Sequence, residues 1–237
     1  ATAKRGGVTV TRVEIAREGL ARPRGRYVTL EMPSVSVLDE RDTDVIETGA
    51  AELRALLPPE GPVLVLGIGN RRVTADALGP RTAQKILVTM GPQHTLPVRG
   101  IRPVAALAPG VSGDTGLTLR QLAAAMVDAV RPAALICVDS LCSAEAARLG
   151  RTIQFSDTGL HPADARHARH LDAAALGVPV IAAGIPTLMD ADEGADLVLT
   201  PRALDSVIAH GAALLACAVN RALQPRLTVQ QLCWLTG

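Results

Sequence analysis

Large rings are nearly absent from this chain. Of its 237 residues only Tyr27, Phe155 and Trp234 carry one, a share of 1%. Platforms that stack bases and shelves that hold sugars need more aromatic surface than that. Charge of one sign is equally scarce, since 24 Lys and Arg stand against 23 Asp and Glu and leave a formal +1. The chain thus has no overall field with which to hold nucleic acid or an anionic bilayer. The four cysteines, Cys137, Cys142, Cys217 and Cys233, show no C-x-x-C spacing, which removes the usual zinc-knuckle and redox motifs. They are expected to be buried, reduced thiols of an intracellular protein. No uncharged apolar run of about 18 residues occurs, and no charged-then-apolar leader. A Gly-x-Ser-x-Gly elbow is missing. Arg72 stands where a dinucleotide fingerprint beginning at Gly67 has its third glycine, and no Gly-Lys-Ser/Thr completes a phosphate loop.

What is present is a core of Ala, Val, Leu and Ile, within an apolar fraction of 48%. Residues 8–15 (VTVTRVEI) and 27–32 (YVTLEM) alternate apolar with polar and predict two strands of an antiparallel hairpin, each with one wet face. Residues 42–57 repeat apolar positions at helical spacing until Pro58-Pro59 stops them. The pattern then changes to uninterrupted apolar runs at 62–68, 133–138 and 178–183, the mark of strands covered on both faces. Shorter strands are expected at 103–107 and 152–155. Helices are expected at 75–90, 117–130 and 201–222, the last opened by Thr200-Pro201. Buried strands alternating with helices predict a three-layer α/β sandwich with a mostly parallel, mixed sheet. One domain over residues 1–237 is expected, with residues 1–40 as an antiparallel add-on.

In such a sheet, ligands bind beyond the carboxyl ends of the strands. Gly67, Gly69 and Asn70 follow one buried run and lead to Asp76, whose carboxylate also suits the first turn of a helix. Asp139 follows the next buried run, where a carboxylate is expensive unless solvated, paired or used. A third loop, Ser156-Asp157-Thr158-Gly159-Leu160-His161, contributes Asp157 and His161 as wall candidates. Its Asp-Thr-Gly has no β-rich setting, which excludes a pepsin-like arrangement. Arg166 and Arg169, within the basic stretch 161–170, are candidates for docking an acidic peptide.

Seven stretches in order, GRYVTLE (25–31), VLGIGNRRVTADALGP (65–80), 87–89, RPVAALAPGVSGDTG (102–116), Asp139, IQFSDTGLHP (153–162) and LGVPVIAAGIPTLMD (176–190), resemble the germination protease family. LTPRALD (199–205) resembles that family's C-terminal part. These are endopeptidases of spore-forming bacteria that degrade small acid-soluble spore proteins. The resemblance implies a fold similar to hydrogenase-maturation endopeptidases and purine nucleoside phosphorylases. It also implies a homotetramer made as a zymogen, working in the cytoplasm of the spore core. The family's two essential aspartates match Asp76 and Asp139. A Gly-rich, Lys-containing stretch of the family is replaced by residues 163–170, Ser140-Leu141-Cys142 replaces Ala-Leu-Ala, and a long insertion before the last helix is missing.

Two nearby carboxylates do not both ionise easily, so one keeps a proton while the other draws one from water. That pair is expected to hydrolyse peptides without metal or cofactor, with backbone N–H groups of residues 67–70 near the oxyanion. The pattern leaves open which aspartate is acid and which is base. A metal-dependent endopeptidase is the alternative, with Asp76, Asp139 and His161 as ligands. A nucleoside- or phosphate-handling transferase, with its phosphate at the Gly67–Gly69 turn, is a further one.

Overall fold

The computed structural model describes residues 1–20, 22–91, 100–161, 170–190 and 197–236. Strand β1 (Thr2–Arg5) pairs antiparallel with β2 (Val8–Ile15), and β2 with β3 (Gly25–Glu31). In β2 and β3 the alternation works as predicted: Val8, Val10, Val28 and Leu30 are buried, while Val13 is half exposed. The expected hairpin is therefore present, with β1 added at its edge. Arg12 on β2 holds it to helix α1 (Thr43–Leu56) through a two-pronged pair with the buried Glu52, its Nε 2.7 Å from Oε2.

The remaining strands are β4 (Val63–Gly67), β5 (Val104–Leu107), β6 (Ala134–Cys142), β7 (Thr152–Ser156), β8 (Val180–Asp190) and β9 (Val198–Leu199). The sheet order is β1-β2-β3-β7-β8-β6-β4-β5, with β9 beside β8. Pairs β8–β6, β6–β4 and β4–β5 are parallel, and the other pairs are antiparallel. Period-two alternation in the buried strands divides the core between two faces. Val63, Val65, Ile136, Val138 and Ile181 pack with α1 and with α6 (Leu204–Leu223). Leu64, Leu66, Leu135, Cys137 and Val180 pack on the other face with α4 (Leu119–Val130) and Leu176 of α5 (Ala173–Leu176). Each fully buried Leu or Ile contributes roughly 1.5–3 kcal/mol over an exposed one. The result is the expected three-layer α/β sandwich around a mixed sheet.

Several expected boundaries change. The helix expected at 75–90 is a 3-10 turn (Thr74–Asp76) followed by the short α2 (Leu78–Ala83). It ends early because Thr89 and Met90 both donate to the Val104 carbonyl at 3.0 Å, which draws the chain to the sheet edge. Helix α6 begins at Leu204 rather than 201, since residues 198–199 are still paired with β8. Although α6 is long and apolar enough to cross a membrane, most of it is buried inside the fold. The short α3 (Ser112–Thr115) and the terminal α7 (Val229–Thr236) had no clear sequence signal. Cys137 and Cys217 are buried as expected, but Cys142 is exposed and Cys233 partly so.

Candidate active site

The chain leaves β4 toward β5 on one side, whereas β6 leads toward β7 and β8 on the other. The carboxyl ends of β4 and β6 therefore flank the point where strand order reverses, the place where an open α/β sheet forms a crevice. Strand β4 stops at Gly67, opposite Val138, while β6 continues to Cys142. Asp139 is thus inside β6, opposite Gly184 of β8, rather than just beyond the strand as the sequence suggested. On its other flank it has lost the cover of β4.

That gap is where Asp76 enters. Ile68 donates to the Val138 carbonyl at 2.8 Å, after which Gly69 turns the chain away at φ 122°. The Thr74–Asp76 turn returns against β6 and β8, and the buried Thr187 hydroxyl fastens it by donating to the Ala75 carbonyl at 2.9 Å. Close approach depends on missing side chains. A Cβ on Gly79 would overlap the carbonyl oxygens of Ile68 and Val138. Gly79→Ala is expected to destabilise the fold by about 3 kcal/mol, read as a lower urea midpoint at unchanged slope.

Asp76 Oδ2 accepts from the Asn70 N–H at 2.7 Å, and Asp139 Oδ1 from the Ser140 N–H at 2.8 Å. Each bond favours the carboxylate, but burial opposes it more strongly. Burial raises the pKa of Asp76, with the Asn70 bond pulling the other way. Asp139 meets solvent through the adjoining cavity but is enclosed by protein on nearly every other side. That burial, followed by the charge of Asp76, pushes it up to about 8. The same surroundings, with the Asp139 charge, raise the Cys137 thiol beyond any useful thiolate range.

A cavity of about 660 Å³ opens beside Asp139, lined by Ser140, Cys142, Tyr27, Phe155 and His161 among others. Asp76 is half-buried and lies outside that lining, but its charge acts on Asp139. Two of the three aromatic side chains of the protein face this space. Tyr27 and Gln154 carry no local sequence signal for this wall, because they arrive through the long-range antiparallel pairing β3–β7–β8, and Arg22 comes from the segment before β3.

The other sequence candidates divide. His161 reaches the cavity wall. Asp157 does not line it; its Oδ1 accepts from the Arg26 backbone N–H at 2.7 Å and its Oδ2 from the Arg26 guanidinium at 2.6 Å. Arg166 and Arg169 lie outside the described residues. Gly67, Gly69 and Asn70 shape the turn, but the Ile68 and Asn70 N–H groups are already committed to Val138 and Asp76. Those two N–H groups are not free to hold an oxyanion, and a phosphate on that turn would meet the Asp76 carboxylate. Nor do Asp76, Asp139 and His161 form a ligand set among the described residues, where the donors that converge are His161, His170 and Asp172.

The model of the germination protease family matches residues 2–193. This chain belongs to the germination protease family. A germination protease of Clostridium perfringens is 31% identical over 283 aligned positions, covering 95% of this chain and 87% of that protein. The germination protease of Caldanaerobacter subterraneus is 33% identical, covering 95% and 88%. That of Bacillus velezensis is 39% identical over 79% of this chain and 55% of its own length. An alignment of 283 positions is longer than this chain, so the Clostridium relative carries residues that this member of the family lacks. Among solved structures, a [NiFe] hydrogenase maturation protease from Thermococcus kodakarensis aligns with a TM-score of 0.45 at 15% identity, over 71% of this chain and 98% of its own.

Proposed function

We propose that this chain is an endopeptidase of spore germination that hydrolyses small acid-soluble spore proteins, using Asp76 and Asp139 as a pair that shares one proton. The observation that carries the reading is the placing of both carboxylates where the strand order reverses between β4 and β6, with Asp139 pushed up to about 8 by burial and by the Asp76 charge. Asp76 is then the ionised member. It takes a proton from water as the water oxygen attacks the scissile carbonyl carbon. The Asp139 O–H donates to the carbonyl oxygen as negative charge develops there. When the tetrahedral intermediate collapses, the C–N bond breaks and the leaving amine takes the proton from Asp76. The carbonyl re-forms and returns its proton to Asp139, so the pair ends as it began.

The cavity beside Asp139 is the proposed seat of the peptide, and Arg166 and Arg169 are proposed to dock its acidic side chains. Work in the spore core, as a homotetramer matured from a zymogen, belongs to the same reading and rests on the family resemblance. The test is incubation with a small acid-soluble spore protein, with and without chelator, followed by mass spectrometry. Discrete internal fragments in both arms are expected. Intact substrate in both would overturn the activity, and cleavage only without chelator would favour a metal-dependent peptidase.

A further inference from the structure

Outside the aspartate pair, His161, His170 and Asp172 each bring one donor atom within 4.8 Å of the other two, and all three are half-buried. The backbone builds this convergence. Leu160 and Leu171 form an antiparallel bridge, each N–H donating to the other's carbonyl at 2.8 and 3.0 Å. Both leucines are anchored in the apolar cluster under α4. One step outward along each segment come His161 and His170, so the bridge sets them side by side. Their ring centroids are 4.9 Å apart, edge to face. Asp172, two residues from His170, falls on the same face of the extended segment. Its Oδ1 accepts from the Ala175 N–H at 2.8 Å, which fixes the side chain at the start of α5.

The tautomer of His161 is also set. Its Nε2 lies 2.8 Å from the Thr158 carbonyl oxygen, a partner that only an N–H can satisfy. The lone pair of the neutral ring is therefore on Nδ1. A backbone carbonyl holding the second ring nitrogen is the outer-shell arrangement that metal-binding histidines ordinarily have.

We infer that His161, His170 and Asp172 form a site for a borderline divalent cation of the Zn²⁺ type, with water completing the coordination. Two imidazoles and one carboxylate suit such an ion, whereas Ca²⁺ and Mg²⁺ favour sets made of oxygen. Tetrahedral bonds of about 2.0–2.1 Å put ligand atoms roughly 3.4 Å apart. Side-chain rotations of about an ångström reach that spacing without disturbing the leucine bridge. An ion there ties together the two ends of the 162–169 connection, at the wall of the cavity that His161 lines. Neither Asp76 nor Asp139 belongs to this set, and no step of hydrolysis passes through it.

The test uses the full chain, stripped with chelator, desalted and titrated with zinc chloride by calorimetry, with elemental analysis after a second desalting. One equivalent of zinc is expected, unaffected by a hundredfold excess of Mg²⁺ or Ca²⁺. His170→Ala and Asp172→Asn are each expected to weaken binding at least tenfold and to abolish the zinc-dependent rise in Tm. Asn caps a helix as well as Asp does, so Asp172→Asn keeps the fold and carries the test even if His170→Ala does not fold. Absence of stoichiometric zinc from the parent protein would overturn the site. So would undiminished affinity in a variant carrying both His170→Ala and Asp172→Asn, as when the exposed Cys142 is the true ligand.

Discussion

Asp76→Asn and Asp139→Asn are each expected to remove peptide hydrolysis, lowering kcat by at least about a thousandfold while KM changes little. The substitution changes protonation chemistry rather than shape. The amide oxygen of Asn70's partner position still accepts its N–H, and so does the one beside Ser140. In the proposed mechanism the change at 76 removes the base that receives the proton of water. At 139 it replaces an acidic O–H by a feebly acidic amide N–H. Because the two side chains are proposed to act as a unit, the double variant is expected to be scarcely worse than either single one. The pH profile of the parent carries the same signature. Its alkaline limb is expected where Asp139 gives up its proton, at about 8, and its acid limb is expected to shift upward from the ordinary carboxylate value because burial raises Asp76 as well. Kinetics on an acidic peptide, with circular dichroism to verify folding, decide the matter. Near-parental turnover by either variant would remove the pair from the mechanism.

The residues that place this pair were legible to different degrees. Uninterrupted apolar runs announced β4, β6 and β8, because strands covered on both faces leave polar side chains no place. Glycines 67, 69 and 79 marked a tight approach without saying to what. Only the structure supplies the partners, which are the Ile68 and Val138 carbonyls and the Asp76 turn. The sheet-end rule selected Asp76 and Asp139, although β6 outruns its apolar segment and takes Asp139 into the strand. That extension had no local signal, since it depends on β8 continuing alongside as far as Leu188. Strand β1 was invisible for a related reason: all four residues are exposed, so no alternation records the pairing. Asp157 shows the opposite failure. Its position in an Asp-Thr-Gly loop suggested chemistry, but its distant partner Arg26 gives it a role in joining β3 to β7.

Asp139→Asn is also expected to make the protein more stable at neutral pH, by an amount that grows with pH. In the unfolded chain this carboxyl titrates near 3.8, whereas in the folded protein it holds its proton to about 8. Below pH 4 both states are protonated and the group adds no pH dependence. Between those values the unfolded state has released a proton that the native state retains. Stability then falls by about 1.4 kcal/mol for each pH unit, until the native group ionises too and the loss levels off. Asparagine has no proton to retain and so escapes the decline. Its advantage is close to nothing at pH 4 and on the order of 2–4 kcal/mol at pH 7. For a chain of this length, each kcal/mol moves Tm by roughly 2–4 °C. Scanning calorimetry of both proteins at pH 4.5, 6 and 7.5 measures the widening gap. Asp76→Asn is expected to give a smaller gain, since burial raises Asp76 less than it raises Asp139, and Asp139 stays buried. A gap that stays constant with pH, or a variant less stable than its parent at pH 7.5, would mean that Asp139 is ionised in the folded protein and supplies no proton to a carbonyl.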